Sequence, residues 1–499
     1  MLALCSLLLA ASHAQLPNIV ILYADDMGYG DLAIQNADSK IPTPNMDRLA
    51  REGMRFTDGH SSSGICTPSR YALLTGRYHW RDFHGIVGSF GPTVFKEGQL
   101  TMAEMLREQG YATACIGKWH LGWDWSALME PGAKTIQGQG YPASVFDWSK
   151  SIPDGPLDEG FDTYFGDDVP NFPPYTWIRD DMVVTAPNGP LKVAPQPLEG
   201  NAECRLGPMA EGWRLDEVMP RLTEEAVAYI DLRRGKEEPF FLYFPFTSPH
   251  APIVPTEEWL GRTDAGPYGD FVAQTDWTVG QVLKALERNG FADNTIVIFT
   301  SDNGPEIYAY ERFRKNSHAS MGELRGIKRD IWEGGHRVPF VVRWPGVVEP
   351  NTVSNALITQ VDLMATVASI VGYELENKED SLDQTPVLRG ERREVRKVIV
   401  HNTYRDHYAI RQGDWVLLEN GTGNERKPAD WFAELRGYGP PSPPYVLYHL
   451  RDDKGQLIDL FHERPIKARM MMQLLDQIRN ARMPQDAMSA SSRALKPTS

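Results

Sequence analysis

The sequence predicts an α/β fold: a large, mostly parallel sheet sandwiched by helices, followed by a smaller C-terminal α+β subdomain containing an antiparallel sheet. Three observations predict it. Four short runs rich in β-branched and aromatic residues each end abruptly in polar residues, and continuously apolar strands of this kind suit a sheet covered on both faces. Segments with helical periodicity lie between them, and strands alternating with helices imply parallel, doubly wound connections. Beyond residue 390 the pattern changes to short, closely spaced strand-like runs, which read as a small antiparallel sheet.

Taken in order, the first run, NIVILY at 18–23, stops at Asp25, Asp26, Met27 and Gly28. TMAE at 101–104 is a capping box: the Thr101 hydroxyl accepts from the Glu104 amide, and the Glu104 carboxylate accepts from the amide of Thr101. Gly110 is positioned to close that helix. The second run, YATACI at 111–116, leads into Gly117, Lys118, Trp119 and His120. Residues 124–215 are rich in Pro, Gly, Asp and Trp, show little periodicity and read as long loops over the sheet, where specificity resides. The third run, PFFLYF at 239–244, precedes Thr247, Ser248, Pro249 and His250. A helix over 271–289 places Val272, Val279, Leu283 and Leu286 on one face and stops at Gly290. The fourth run, TIVIF at 295–299, ends in Ser301, Asp302, Asn303 and Gly304. An apolar helix-like stretch at 362–371 and the charged RGERRE at 389–394 mark a boundary, giving a large domain over 15–390 and a subdomain over 391–499. In the latter, strands are expected at 397–401, 408–411 and 415–418, covered by a helix over 465–481, with a loose tail from Met483.

The chain has 499 residues, more than one ordinary core holds, and its 41% hydrophobic and 10% aromatic content excludes general disorder. A formal charge of −15 without a long basic run argues against nucleic-acid or anionic-membrane binding through a charged face. An anionic substrate then needs a locally positive pocket. The opening MLALCSLLLAASHAQ is a short apolar run with a small-x-small cleavage site after Ala14. Residues 1–14 therefore read as a secretory signal, too short to span a bilayer, although the basic start is missing and the first lysine is Lys40. A periplasmic or secreted location follows, and no later segment reads as a membrane helix. Cleavage leaves Cys66, Cys115 and Cys204, an odd number. Cys115 reads as core, and a bridge between it and Cys204 has no direct support.

Two acidic turns stand out because each follows an apolar strand and ends in glycine. Either pair alone is commonly a solvated turn; together Asp25, Asp26, Asp302 and Asn303 offer four oxygen ligands to a hard cation such as Ca²⁺. In a doubly wound sheet, the carboxyl ends of the strands are where ligands bind. Lys118 and His120 flank Trp119 and share one side of the chain if it stays extended. His250 lies between prolines in Pro-His-Ala-Pro, and Lys328 follows Gly326 and Ile327. Singly, each is more often a surface cation or a satisfied histidine. Together they make a site for an anion whose charge shifts during reaction.

Cys66 has four readings. A disulfide half lacks an evident partner, and a zinc ligand lacks a second ligand at the usual spacing. A thiolate nucleophile suits a helix start with Pro68 in its first turn. The same helix start, with Arg70, also suits a tetrahedral oxyanion. The residues alone leave these open.

Cys66-Thr67-Pro68-Ser69-Arg70, followed by Leu74-Thr75-Gly76-Arg77, resembles the Cys-x-Pro-x-Arg signature and Thr-Gly-Arg extension of the type I sulfatases. The similarity continues through PNIVILYADDMGYGDL at 17–32, GKWHLG at 117–122, GFDTYFG at 160–166, residues 295–304 and WEGGHRVP at 332–339. The resemblance implies an alkaline-phosphatase-like fold and a sulfatase that acts on a sulfated carbohydrate. It implies that a formylglycine-generating enzyme, or an equivalent, oxidises Cys66 to formylglycine during maturation. Asp25, Asp26, Asp302 and Asn303 would then hold Ca²⁺ together with the formylglycine from Cys66. Arg70 and Lys118 would hold its hydrate and the sulfate, with His120, His250 and Lys328 serving proton transfer and the leaving group. His336 departs from the family's usual apolar residue, which we read as a local packing change. No family substrate contact matches within 124–158. His79, Trp80, Arg81, His84, Trp177, Arg179 and Asp180 are candidates to meet a sugar, with ordinary loop packing as the alternative for each. The rival functions are a formylglycine-dependent phosphonate monoester or phosphodiester hydrolase, and a carbohydrate-binding relative without catalysis.

Overall fold

The computed structural model describes residues 16–480 except 136–139, 191–198, 201–202, 379, 405–406, 421–422, 425–426 and 440–443. The expected signal segment and the tail from Met483 lie outside the described residues.

Ten strands form the large sheet: β1 (Asn18–Ala24), β2 (Met54–Phe56), β3 (Ala112–Lys118), β4 (Thr163–Asp168), β5 (Ile178–Arg179), β6 (Met182–Val183), β7 (Phe240–Pro245), β8 (Thr295–Ser301), β9 (Phe340–Arg343) and β10 (Thr352–Ser354). Their order across the sheet is β10-β2-β9-β8-β1-β7-β3-β4-β5-β6. The central β8, β1, β7, β3 and β4 run parallel, and antiparallel pairs enter only toward the two edges. All four predicted runs lie in that parallel centre.

Side-chain alternation along β1 explains why its run is apolar throughout. Val20 and Leu22 pack on one face with α4 (Val218–Leu232) and α5 (Gly266–Arg288), through Leu222, Ala226, Val272, Val279 and Leu283. Ile19, Ile21 and Tyr23 face the other way, toward α2 (Cys66–Thr75), α3 (Met102–Glu108) and α6 (Leu363–Val371), through Leu73, Leu74, Leu106 and Val367. Helix α1 (Pro44–Arg51) joins the first of these layers through Met46 and Leu49. The capping box forms as expected, with Thr101 Oγ1 accepting from the Glu104 amide at 3.1 Å and Glu104 Oε2 accepting from the Thr101 amide at 2.8 Å.

Two local expectations are corrected. The segment read as loops contains β4, a full member of the parallel centre, together with β5 and β6. Its TYFGDD sequence carries a glycine and two carboxylates, so it lacks the apolar run that marks the other central strands. Helix α5 begins at Gly266, ahead of the expected 271, with Pro267 in its first turn.

The small sheet consists of β11 (Val398–Asn402), β12 (Tyr408–Gln412), β13 (Trp415–Leu418) and β14 (Val446–His449), all antiparallel. Helix α7 (Pro465–Asn480) covers one face, with Met471, Leu475 and Ile478 against Val400, Ile410 and Leu417. The other face presents Ala409, Val416, Leu418 and Tyr448 to Ile331 and Trp332 of the large domain. The small sheet thus buttresses the loop that carries Lys328.

Candidate active site

The polar turns after β1 and β8 are stitched to each other. The Asp302 amide donates to Ala24 O at 3.0 Å, and the Asp26 amide donates to Asp302 Oδ1 at 3.1 Å. Asp26 has φ 63°, which swings its carboxylate across the end of the sheet. Asn303 Nδ2 donates to Asp26 Oδ1 at 2.7 Å. Every expected ligand is buried: Asp25, Asp302 and Asn303 have no exposure and Asp26 has 1%.

Three cations close on these carboxylates. Lys118 Nζ, at the end of β3, lies 2.6 Å from Asp25 Oδ2. Arg70 Nη2, from α2, lies 2.8 Å from Asp302 Oδ2 and 3.6 Å from Asp25 Oδ1. Lys328 Nζ lies 2.7 Å from Asp26 Oδ1, and His250 Nε2, after β7, lies 3.6 Å from Asp26 Oδ2. Cys66 is the first residue of α2, and its Sγ lies 3.8 Å from Asp25 Oδ1. The structure therefore brings all the expected ligands and catalytic candidates into one neighbourhood, His120 among them through its electrostatic contact with Lys118, Arg70 and His250.

A hard divalent cation fits this donor set. Among the described residues Asn303 Oδ1 is a buried acceptor with no hydrogen-bond partner, lying beside three carboxylates, while the nitrogens Arg70 Nε and His120 Nδ1 are also left open in the same site. Burial, and then the like charge of Asp25, pushes Asp302 up to about 6. Three carboxylates this close ionise together more readily when a cation sits among them. Burial also works against ionisation of Asp26, but Lys328 and His250 outweigh it and hold Asp26 well below the usual carboxylate range. The fixed charges of Asp25, Asp26 and Asp302 cancel those of Arg70, Lys118 and Lys328. Adding a divalent cation makes the site net positive, which supplies the local attraction that an anion needs in a chain of charge −15.

Two expectations about the groups are corrected by their surroundings. The helix start does not make Cys66 a thiolate: burial pushes its thiol up to about 12, more than Lys118 and Lys328 can offset. A thiol at this position is thus a poor nucleophile at neutral pH. Lys118 and His120 do not meet as neighbours on an extended strand, because His120 has φ 55° and the chain turns there. Its amide is held by Asp168 Oδ1 at 3.1 Å, and its Nε2 donates to Val87 O at 3.0 Å, leaving Nδ1 without a partner. Burial, with Lys118 and Arg70 nearby, keeps the His120 ring neutral. Burial and Lys328 likewise lower His250 to about 3, whereas Asp26 outweighs burial at Lys328 and raises it.

Each candidate sugar contact has a partner within the protein, and of the set His84 and Arg179 stay exposed. Buried His79 bonds Asn402 Oδ1 at 3.1 Å and His84 Nδ1 reaches the same oxygen at 3.2 Å. Trp80 stacks on Tyr78, and Arg81 pairs with Asp380 at 2.7 Å. Trp177 stacks on Phe165, Arg179 pairs with Glu225 at 2.7 Å, and Asp180 accepts from the Thr163 hydroxyl at 2.7 Å. Sequence reasoning missed Asp167, at the end of β4: both carboxylate oxygens are buried without a partner, and burial followed by Asp168 pushes it up to about 7. The signal was the DD pair itself, unread because β4 was taken as loop. Cys66, Cys115 and Cys204 are all free thiols, so the Cys115–Cys204 bridge is absent.

The Sulfatase family pattern matches residues 17–373. The chain belongs to the sulfatase family. An N-acetylgalactosamine-6-O-sulfatase from Bacteroides thetaiotaomicron is 34% identical, covering 94% of this chain and 94% of its own length. An N-acetylgalactosamine-6-sulfatase from Mus musculus is 31% identical over 83% of this chain and 76% of its own. A solved structure concerned with the metabolism of multiple glycosaminoglycans by Bacteroides thetaiotaomicron superposes with a TM-score of 0.79 at 30% identity, covering 94% of this chain and all of that one. As a sulfatase, the chain is a sulfuric ester hydrolase, and its large sheet and small C-terminal sheet are those of the alkaline-phosphatase-like group.

Proposed function

We propose that the protein is an exported, Ca²⁺-dependent sulfatase that removes sulfate from a sulfated carbohydrate, using formylglycine made from Cys66. The observation that carries this reading is Cys66 at the start of α2, 3.8 Å from Asp25 and enclosed by three carboxylates and three cations. The names of the relatives make a 6-O-sulfated N-acetylgalactosamine unit of a glycosaminoglycan the leading substrate. Cys66 is only 3% exposed, so an oxidising enzyme reaches it before the fold closes. The expected signal at 1–14 supports a periplasmic or secreted location.

Asp25, Asp26, Asp302 and Asn303 would hold the calcium. When bound, calcium draws charge from the sulfuryl oxygens, and the formylglycine hydrate offers a hydroxyl in place of a thiol. Arg70 and Lys118 orient that position through their contacts to Asp302 and Asp25 and add positive charge where the anion sits. Lys328 stays protonated beside Asp26. His250 donates Nδ1–H to Ala251 O, which leaves Nε2 to carry the exchangeable proton. An arriving sulfate ester favours the charged imidazole, so His250 gains its proton with the substrate and gives it to the departing sugar oxygen. His120, neutral and with Nδ1 unengaged, is placed to accept a proton in the return step.

Initial rates test the reading. Material made in a host that oxidises the cysteine is expected to release sulfate from 6-O-sulfated N-acetylgalactosamine faster than from its 4-O-sulfated isomer. Matched phosphate and phosphonate esters should be much slower. Preference for the phosphorus esters overturns the reaction class, and preference for the 4-O-sulfate overturns the substrate alone.

A further inference from the structure

Behind the charged site lies a second buried polar centre, built from nitrogen instead of oxygen. His60 follows β2, His336 ends the one-turn helix Glu333–His336, and His401 lies in β11. Exposure is 0% for His60 and His336 and 1% for His401. One nitrogen from each ring falls within 4.8 Å of the others.

The proton inventory of these rings does not close. His60 Nε2 lies 2.9 Å from Asp58 Oδ1, a carboxylate held ionised against burial by Arg411 and Arg337, so His60 carries its N–H on that side. Arg411 Nη1 is also 3.2 Å from this nitrogen, but it donates to Asp58 and Glu333. His336 Nε2 lies 3.4 Å from Ile331 O and directs its N–H there. In that tautomer each ring has a lone pair on Nδ1, and these two atoms face each other at 3.1 Å; the other His336 tautomer joins them by an N–H···N bond and gives up the Ile331 contact. His401 stacks on His336 with centroids 3.4 Å apart, and neither of its ring nitrogens has a partner among the described residues. A neutral imidazole must carry one N–H and one lone pair, so His401 leaves both unmet by the described protein groups at a buried position, which is costly.

The other His336 tautomer, or a shared proton, would resolve the His60–His336 pair and leave His401 unsatisfied. A shared proton would also place an imidazolium beside Arg411 and Arg337. Burial holds all three rings toward their neutral forms, His336 down to about 3. A metal ion accepts all three lone pairs at once. In a tetrahedral zinc site, ligand nitrogens stand about 3.3 Å apart, close to the Nδ1 separation seen here. The outer contacts, a carboxylate on His60 and a backbone carbonyl on His336, are the kind that orient metal-bound imidazoles. His401 has to tilt out of its stack, because lone pairs in parallel ring planes do not meet.

We propose that His60, His336 and His401 form a second metal site, for a borderline divalent cation such as Zn²⁺, distinct from the oxygen site for Ca²⁺. The ion ties β11 of the small sheet to both catalytic loops. The Ser61 amide donates to His336 O at 2.8 Å on the path to Cys66, and the Gly304 amide donates to Gly335 O at 2.9 Å next to Asn303. The site acts by bracing these loops and touches no substrate.

The full-length protein, stripped with a chelator and returned to excess Ca²⁺, is titrated with Zn²⁺ by calorimetry, with bound metal counted by mass spectrometry. Wild type is expected to take one zinc ion per chain and to melt at a higher temperature with it. His401→Phe keeps the flat ring on His336 without nitrogens and is expected to lose more than about tenfold in zinc affinity, along with the thermal shift. His60→Gln, which leaves the small sheet intact, should do the same if His401→Phe fails to fold. Absence of zinc uptake by wild type overturns the proposal. So does uptake that persists in His401→Phe and disappears in Asp26→Asn, which would place the ion in the catalytic site.

Discussion

Two buried polar centres a few residues apart were built on opposite principles. The site around Cys66 gathers formal charge, with Asp25, Asp26 and Asp302 set against Arg70, Lys118 and Lys328, all but fully buried. The centre around His60, His336 and His401 is made of neutral rings, with charge in the surrounding contacts of Asp58 and Glu333 with Arg411 and Arg337. The first suits a hard cation and a reacting anion. The second suits a softer metal and a fixed structure. Charge density and loop bracing are thus divided between neighbouring sites, and changes in the two should fail differently.

The sharpest break lies in Cys66→Ala. Its Sγ makes one long contact of 3.8 Å, so the fold should persist, with the melting temperature nearly unchanged, while sulfate release falls by at least about 10⁴-fold. Asp302→Asn comes next. It removes a proposed charged ligand and the partner of Arg70, and sulfate release at saturating substrate should fall by about 10²–10³-fold, partly restored by raised Ca²⁺. His250→Ala should divide substrates by leaving group: sugar sulfates should lose about 10²-fold or more, and aryl sulfates, whose leaving group needs no proton, far less. Equal losses on both would remove His250 from the role of acid.

Much of the charged site was legible because its residues follow strands whose apolar character announces itself. NIVILY and TIVIF end in the candidate ligand pairs, and the parallel pairing of β1 with β8 then forces those pairs together. The signature at Cys66 to Arg77 supplied the chemistry. Electrostatics was not legible in the same way: a helix start suggested an acidified thiol, but burial decides in favour of a thiol pushed up to about 12. Strand β4 escaped because TYFGDD puts its charges where an apolar run was sought. The histidine centre has no motif, since its members come from the segment after β2, a single helical turn and the small sheet. Only the packing of the small sheet on the large domain unites them. His336 was noticed, but as a packing change.

A buried neutral ring outside both centres, His79, links the α2 extension to Asn402. Burial lowers this imidazole from 6.5 to about 3, so below pH 6.5 the unfolded chain binds a proton that the folded chain refuses. Its contribution to stability is therefore present above about pH 6.5 and is lost as the pH falls toward 3, at up to about 1.4 kcal/mol per pH unit. His79→Gln should flatten that limb of the melting-temperature profile and leave the profile above pH 7 parallel to wild type.

The central claim is that Cys66 is the precursor of the catalytic group and not the catalyst. Preparations with different degrees of oxidation at residue 66, quantified by mass spectrometry of the peptide that contains it, should release sulfate from 6-O-sulfated N-acetylgalactosamine in proportion to the aldehyde fraction. The line should pass through zero for the pure thiol. Full activity in the thiol form, or none in the fully oxidised form with Ca²⁺ present, would contradict the account.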